Sequence, residues 1–171
     1  MDAVLVCPSA AQNAREAQRE TFFEVGLPQV AAAMGGYNAT IFAYGQTGSG
    51  KSFTMNGEED APGLIPHMCE ALFFLAEERS ADTTVDVRMA FMEIYNDKCF
   101  DLLGARQGRR QKDQQGFGSG PKDGTSGVLA VRGTQEGGYF VENLSERVVS
   151  STSDVVKNFH EGMRHRATDA Q

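Results

Sequence analysis

The sequence has few cysteines and no pattern among them. Cys7, Cys69 and Cys99 are three in number and far apart. No CxxC pair and no Cys/His spacing suited to zinc occurs. That argues against a disulfide framework and leaves reduced thiols as small packing residues, as expected in the cytosol. His67, His160 and His165 form no ligand pattern, and none is given a catalytic role. Long apolar runs are also missing, and none approaches the length of a bilayer span, so no membrane insertion is expected. The first residues, Met1-Asp2-Ala3-Val4, lack a basic stretch followed by an apolar one, so no signal peptide is expected. Positive charge is in deficit: 16 Lys and Arg stand against 23 Asp and Glu, a formal charge of -7. General nucleic-acid binding is a poor fit to that balance. There are no internal repeats and no heptads.

What is present suits a globular α/β chain. With 171 residues and 40% hydrophobic content, the composition is that of one domain with a sizeable core, or part of a larger one. Phe23, Leu27, Val30 and Met34 fall at i, i+4, i+7 and i+11, which predicts a helix with one apolar face. Pro28 predicts a kink or restart within it, and Gly35-Gly36 a stop. Thr40-Ile41-Phe42-Ala43-Tyr44 reads as a buried parallel strand. A polar loop is expected over 56–63 and a second helix from about Leu64 to Glu78, with Pro66 tolerated in its first turn. Val85, Val87, Met89 and Phe91 alternate as in a strand that reaches Tyr95. Short strands are expected at 128–131, 139–141 and 147–149. Ser153 is placed to cap a last helix whose Val156, Phe159 and Met163 share a face.

Between these elements lies a stretch of different character. Residues 104–127 hold seven glycines, five basic and two acidic residues, and one large apolar side chain, Phe117. Such a segment buries too little surface to offset its ordering entropy, and a flexible insert loop is expected. Its net charge of +3 (five basic, two acidic) leaves -10 on the rest of the chain, for a total of -7.

The chemistry is concentrated in Gly45-Gln46-Thr47-Gly48-Ser49-Gly50-Lys51-Ser52, which fits G-x-x-x-x-G-K-[ST] at every fixed position. The glycines let the backbone wrap a polyphosphate without Cβ clashes. Inward-facing N–H groups form an anion nest, and a helix starting near Gly50 turns its positive end toward the same place. Lys51 brings a compact positive charge to the β- and γ-phosphates, and the Ser52 hydroxyl completes the shell of a Mg²⁺ that keeps most of its waters. A chance match in a chain this long is expected roughly once in a few hundred chains. A predicted strand before the loop and a helix after it supply the context the motif needs. Hydrolysis also needs an aligned water, a metal-holding acid and a γ-phosphate sensor. Asp101, in Asp101-Leu102-Leu103-Gly104, mimics a D-x-x-G switch. It does not end an apolar run, however, since Asn96-Asp97-Lys98 lies just upstream. It is read as a polar turn closing a short element.

The residues flanking the loop resemble one family. Gly36 to Met55, with Ala39-Thr40-Ile41-Phe42-Ala43-Tyr44 leading into the loop and Phe53-Thr54-Met55 leaving it, is similar to the phosphate-loop signature of kinesin motor domains. Pro62-Gly63-Leu64-Ile65-Pro66 resembles the start of the second half of the helix after the loop. Glu93-Ile94-Tyr95-Asn96-Asp97-Lys98 with Asp101-Leu102-Leu103 resembles the next strand and turn. Tyr139 to Leu144, and Glu161-Gly162 with Arg166, resemble the stretch leading to the first switch. The likeness spans nearly the whole chain apart from 104–127.

The resemblance implies an α/β three-layer fold of the P-loop NTPase type, with a central, mostly parallel sheet, helices on both faces and the nucleotide at the carboxyl edge of one strand. It implies a microtubule-dependent ATPase whose cofactors are ATP and Mg²⁺ and whose partner is tubulin, at work in the cytoplasm on the cytoskeleton. Gly45, Gln46, Thr47, Gly48, Ser49, Gly50, Lys51 and Ser52 would bind the phosphates and, through Ser52, the metal. Phe53 stands where the family places a side chain near the nucleoside. An aromatic there is open to two uses, stacking on adenine or core packing. Lys98 and Arg132 resemble tubulin-facing basic positions, and Arg106, Arg109, Arg110 and Lys112 in the insert would extend that patch. The chain departs from the family at both ends. The opening Arg-x-Arg-Pro strand, the serine-rich first switch and the second switch do not occur in it, and Met1 would fall at an internal position. An incomplete motor domain over 1–171, about half of one, is therefore expected. The alternative is a fragment that binds ATP or tubulin without hydrolysis. A different phosphate-loop NTPase would need a Walker-B acid, and none stands out.

Overall fold

The computed structural model describes residues 14–79, 84–104, 128–134 and 136–169. Cys7 and most of the predicted insert, including Arg106, Arg109, Arg110 and Lys112, lie outside the described residues. The chain divides into two compact units, one running to Val85 with Ser150–Thr152, the other formed by Asp86–Val149 and Ser153 onward.

The first unit is mainly helical. Helix α1 (Ala14–Thr21) runs through a π-helical turn, Phe22–Gly26, into α2 (Leu27–Met34). The π turn is the restart expected at Pro28. Proline has no N–H to offer the preceding turn, and the Leu27 N–H bonds instead to the Phe22 carbonyl, five residues back. The extra residue rotates the residues before it out of phase with those after it. This is why Phe23, expected on the core face with Val30, is 53% exposed while Val30 is 3% exposed. Gly35 and Gly36 end α2 as expected, with the Gly35 N–H on the carbonyls of Ala31 and Ala32 and Gly36 at φ 91°.

Helix α3 (Lys51–Asn56) is short, and a two-residue ladder links it to the next helix. In that ladder β1 (Gly57–Glu58) pairs antiparallel with β2 (Ala61–Pro62). Helix α4 (Leu64–Arg79) then packs against the π turn. A Cβ on Gly26 would lie 3.1 Å from Met68 Cγ and 3.3 Å from Leu64 Cδ2 of that helix, so glycine permits the close approach. At its far end Arg79 donates to the Met34 carbonyl and so caps α2.

The second unit is built from short strands and one helix. The strand expected from 85 to 95 is divided into β3 (Arg88–Met89) and β4 (Met92–Tyr95). A hairpin joins β4 to β5 (Lys98–Asp101) through Asn96 and Asp97, both at positive φ (49° and 61°). That is the two-residue type I′ geometry that matches strand twist. Strand β6 (Val128–Leu129) extends the sheet from β5. Strands β7 (Val131–Gly133) and β8 (Tyr139–Val141) form a second hairpin, and β9 (Arg147–Val148) pairs with β3.

Helix α5 (Thr152–Asp169) closes the unit. Its buried line runs through Val155 and Gly162, one residue earlier than the Val156–Met163 line expected from spacing. Phe159, shared by both lines, stacks on Phe91 with ring centroids 5.1 Å apart. A side chain at Gly162 would run into the Phe91 ring, so glycine admits the ring to the helix surface.

The mix of helices and strands is that of an incomplete α/β fold. All five strand pairings among the described residues are antiparallel. Thr40–Tyr44, expected to be a buried parallel strand, has no ladder partner among the described residues. Phe42 is 82% and Tyr44 94% exposed. Composition sets a segment's preference for extended backbone, but the ladder needs a second strand.

Candidate functional site

The glycine-rich loop leads from residue 44 into α3. Its glycines adopt the conformations for which the residue type is needed: Gly45 has φ 151°, Gly48 81° and Gly50 89°. Open space surrounds a Cβ built on Gly48 or Gly50, so backbone geometry rather than crowding demands glycine there. At Gly45 a Cβ would lie 2.6 Å from Ser49 Oγ, so close approach matters as well. The Ser49 N–H turns back to the Gln46 carbonyl at 3.2 Å. Gly50 caps α3 in the left-handed conformation, and its carbonyl accepts the Thr54 N–H at 2.8 Å.

Lys51 and Ser52 occupy the first turn of α3. The Lys51 ammonium reaches back over the loop and donates to the carbonyls of Gly45 (2.8 Å) and Gln46 (2.7 Å). The loop thus carries its own cation at its entrance. Ser52 is exposed, and its hydroxyl is a hard oxygen donor of the kind Mg²⁺ takes. Phe53 is half-buried and lines a cavity of about 350 Å³ together with Ala17, Thr21, Ile41, Lys51 and Leu64. Helix α3 is six residues long. An anion here would therefore be held by local amides and the lysine more than by a long helix dipole.

One contact had no signal in the sequence. Gln18 of α1, 3% exposed, donates from Nε2 to the Phe53 carbonyl at 2.7 Å. The partners are 35 residues apart, and a glutamine among charged residues gives no hint of burial.

Lys98 and Arg132 lie in the second unit, on different ladders. Lys98 opens β5 just after the type I′ turn and is exposed. Arg132 on β7 is exposed and pairs with Glu142, Nε to Oε2, at 3.0 Å. Asp101 is engaged structurally. Its Oδ1 accepts the N–H groups of Leu103 (2.8 Å) and Gly104 (2.9 Å), and Oδ2 that of Ser145 (2.8 Å). This is the polar turn expected from the sequence.

A second polar cluster had no sequence signal either. Arg147 forms a bidentate pair with Glu161 (2.8 and 2.9 Å) and donates to Asn158 Oδ1 and the Leu103 carbonyl, each at 2.6 Å. The hydrogen bonds from Arg147 hold the Glu161 carboxyl below its ordinary pKa, and the same pair raises that of Arg147. His165 Nδ1 lies 2.8 Å from the Leu102 carbonyl, and Arg166 pairs with Glu93 at 2.9 Å. In the first unit the His67 ring lies tilted against Phe22, centroids 5.4 Å apart, and burial, with Arg19 and Arg15 nearby, outweighs Glu70 and lowers its pKa. No group of three or more His, Cys, Asp or Glu suited to a metal occurs among the described residues. No helix among them is long and apolar enough to cross a membrane.

Comparison with known proteins converges on one family. The family model described as "Kinesin motor domain" matches residues 8–171. The kinesin-like protein KIP2 of Eremothecium gossypii is 38% identical over 152 residues, which cover 88% of this chain and 21% of that protein. Mouse KIF14 is 38% identical over 156 residues, 90% of this chain and 8% of that one. Among solved structures, a two-heads-bound dimer of KIF14 residues 391–772 with AMP-PNP, in complex with a microtubule, superposes with a TM-score of 0.73. That match is 37% identical and covers 88% of this chain and 38% of that one. KIF14 residues 391–755 with ADP, also on a microtubule, gives a TM-score of 0.69 at 36% identity, covering 86% of this chain and 37% of that one. The chain thus spans a minor part of each relative's length.

Proposed function

The chain belongs to the kinesin motor domain family, and from that premise we propose that it is the ATP-binding part of a motor that couples ATP hydrolysis to movement along microtubules. The observation that carries this reading is the loop from Gly45 to Ser52, with three glycines at positive φ and Lys51 folded over its carbonyls. A polyphosphate offers Lys51 a stronger partner than two neutral carbonyls, since its oxygens carry negative charge that attracts the ammonium directly. The ammonium would then exchange the Gly45 and Gln46 carbonyls for β- and γ-phosphate oxygens. Loop amides from Gln46 to Lys51 would orient the phosphates, and Ser52 would hold Mg²⁺. The metal held there would offset phosphate charge. Phe53 lines the same cavity as Lys51 and Leu64 and would stand near the nucleoside, with stacking on the base or packing in the protein as its two uses.

Lys98 and Arg132 are proposed as microtubule-facing. Lys98 is the stronger of the two, since Arg132 already has Glu142 to neutralise it. The place of action would be the cytoplasmic cytoskeleton. The test is the ATPase rate of the full-length protein with and without microtubules. Stimulation by the polymer is expected, and an unchanged rate contradicts the motor reading.

A second reading concerns this chain alone. Asp101, which mimics a switch acid, is bonded to three backbone amides. Neither switch motif of the family occurs in its 171 residues. We infer that these residues by themselves hold nucleotide without turning it over. Multiple-turnover hydrolysis by the 171-residue chain at the full-length rate would contradict that.

A further inference from the structure

We propose that Gln18 is a positioning residue for the nucleotide loop, holding the short helix that carries Lys51 and Ser52 in register. The proposal rests on the nucleotide reading above and adds to it a residue outside the motif.

The argument starts from the length of α3. Six residues make fewer than two turns, and a helix this short is marginal without tertiary anchors. Its first turn supplies Lys51 and Ser52, so any rocking or fraying moves both. Beyond that turn the helix is held at two points. The Gly63 N–H, at the entry to α4, donates to the Asn56 carbonyl at 3.1 Å. The Phe53 carbonyl accepts twice, from the Gly57 N–H of its own helix end and from Gln18 Nε2 at 2.7 Å. Phe53 directly follows Ser52, which puts the Gln18 bond one residue from the metal-binding position.

Gln18 is a costly residue to bury. It is the buried polar side chain of the described core, at 3% exposure. A primary amide without partners at such a site is destabilising by roughly 1–3 kcal/mol. Its neighbour Ala17 is an ordinary apolar contact, and a leucine or methionine at position 18 would fill the same volume without that penalty. The amide does what neither can: it donates to a carbonyl of the loop helix from a different helix. Phosphate binding then finds Lys51 and Ser52 already placed, and the ordering cost of the loop is smaller.

The test uses the full-length protein, titrated with magnesium ADP by calorimetry, with the melting midpoint measured in parallel. Gln18→Met keeps the volume and removes the donor. Affinity is expected to weaken about three- to tenfold, the range of one net hydrogen bond. Gln18→Glu is the second variant and reads the bond itself. Protonated, its carboxyl donates an O–H to the Phe53 carbonyl; ionised, it faces that carbonyl with no proton. Burial raises the carboxyl pKa, so near-wild-type affinity is expected around pH 5.5 and a loss of about tenfold around pH 8, relative to wild type at each pH. A merely space-filling Gln18 predicts no such pH profile. If Gln18→Met does not fold, the Gln18→Glu profile decides. The proposal is overturned if Gln18→Glu follows wild type at both pH values while Lys51→Ala loses ADP. If Lys51→Ala also keeps ADP, the nucleotide reading itself falls, and this inference with it.

Discussion

Two turns in this chain gather backbone amides, at 45–51 and at 101–104, and charges of opposite sign close them. At 101–104 the chain supplies its own anion. The Asp101 carboxylate takes the N–H groups of Leu103, Gly104 and Ser145 at 2.8 to 2.9 Å. The glycine beside it is crowded, since a Cβ on Gly104 would lie 2.8 Å from Asp101 Oδ2. At 45–51 the chain supplies a cation instead, and Lys51 bonds to carbonyls of the loop. No described carboxylate bonds to that loop's amides, and open space surrounds Gly48 and Gly50. A turn that carries its own anion is complete as a structural element. A turn that carries a cation and open amides is complementary to an anion from outside. Glycine and acid content alone make the two look alike, and the sign of the closing charge separates them.

The sharpest way to break this contrast is to remove each charge. Lys51→Ala should weaken magnesium nucleotide binding by about a hundredfold or more, the value of two charge-assisted hydrogen bonds. Stability should stay close to wild type, because the lysine's present partners are neutral and exposed. Equilibrium dialysis and a melting curve check both halves. Asp101→Ala should do the reverse. Losing the acceptor for three amides is expected to destabilise the fold by about 2–3 kcal/mol, read by urea denaturation. Nucleotide affinity of the folded fraction should be unchanged. If the two variants trade phenotypes, the assignment of the turns is wrong.

Smaller effects sharpen the account of the second unit. Gly162→Ala places a methyl against the Phe91 ring, and overpacking of that kind should cost about 1–3 kcal/mol on the same denaturation assay. The Arg147–Glu161 pair should give a modest pH dependence. The Glu161 carboxyl is held below its ordinary value by its bonds to Arg147. Its contribution is therefore fully present above the pKa of an unfolded glutamate, about 4.3, and is lost as pH falls through the lowered folded value. Glu161→Gln should flatten the acid side of the melting profile and leave the neutral side's slope alone. An unchanged acid side would show that the pair carries no linkage.

The conformation of the loop was legible in the sequence because its glycines are demanded by local geometry. The glycines at 45, 48 and 50 have no substitutes at their φ values, and Lys51 has no structural reason to follow them. The stop at Gly35-Gly36 and the polar turn at Asp101 were legible for the same local reasons. What stayed hidden depends on distant partners. Helix α1 has no large apolar side chain to set a period, so its start at Ala14 left no mark. The π turn shifted the phase of α2 and carried Phe23 out of the core. Thr40–Tyr44 has the composition of a laddered strand, while its pairing depends on residues remote in sequence. Gln18 and Arg147 look like ordinary surface residues until their partners, 35 and 14 residues away, are placed beside them.

The most direct measurement is an amide NMR titration of the isotope-labelled full-length protein with magnesium ADP. The N–H signals of Gly48, Gly50 and Lys51 should move as the nucleotide binds, and those of Leu103, Gly104 and Ser145 should not. Saturation by nucleotide with the three loop signals unmoved, or no binding at all, would contradict the claim that this loop is where the phosphates are held.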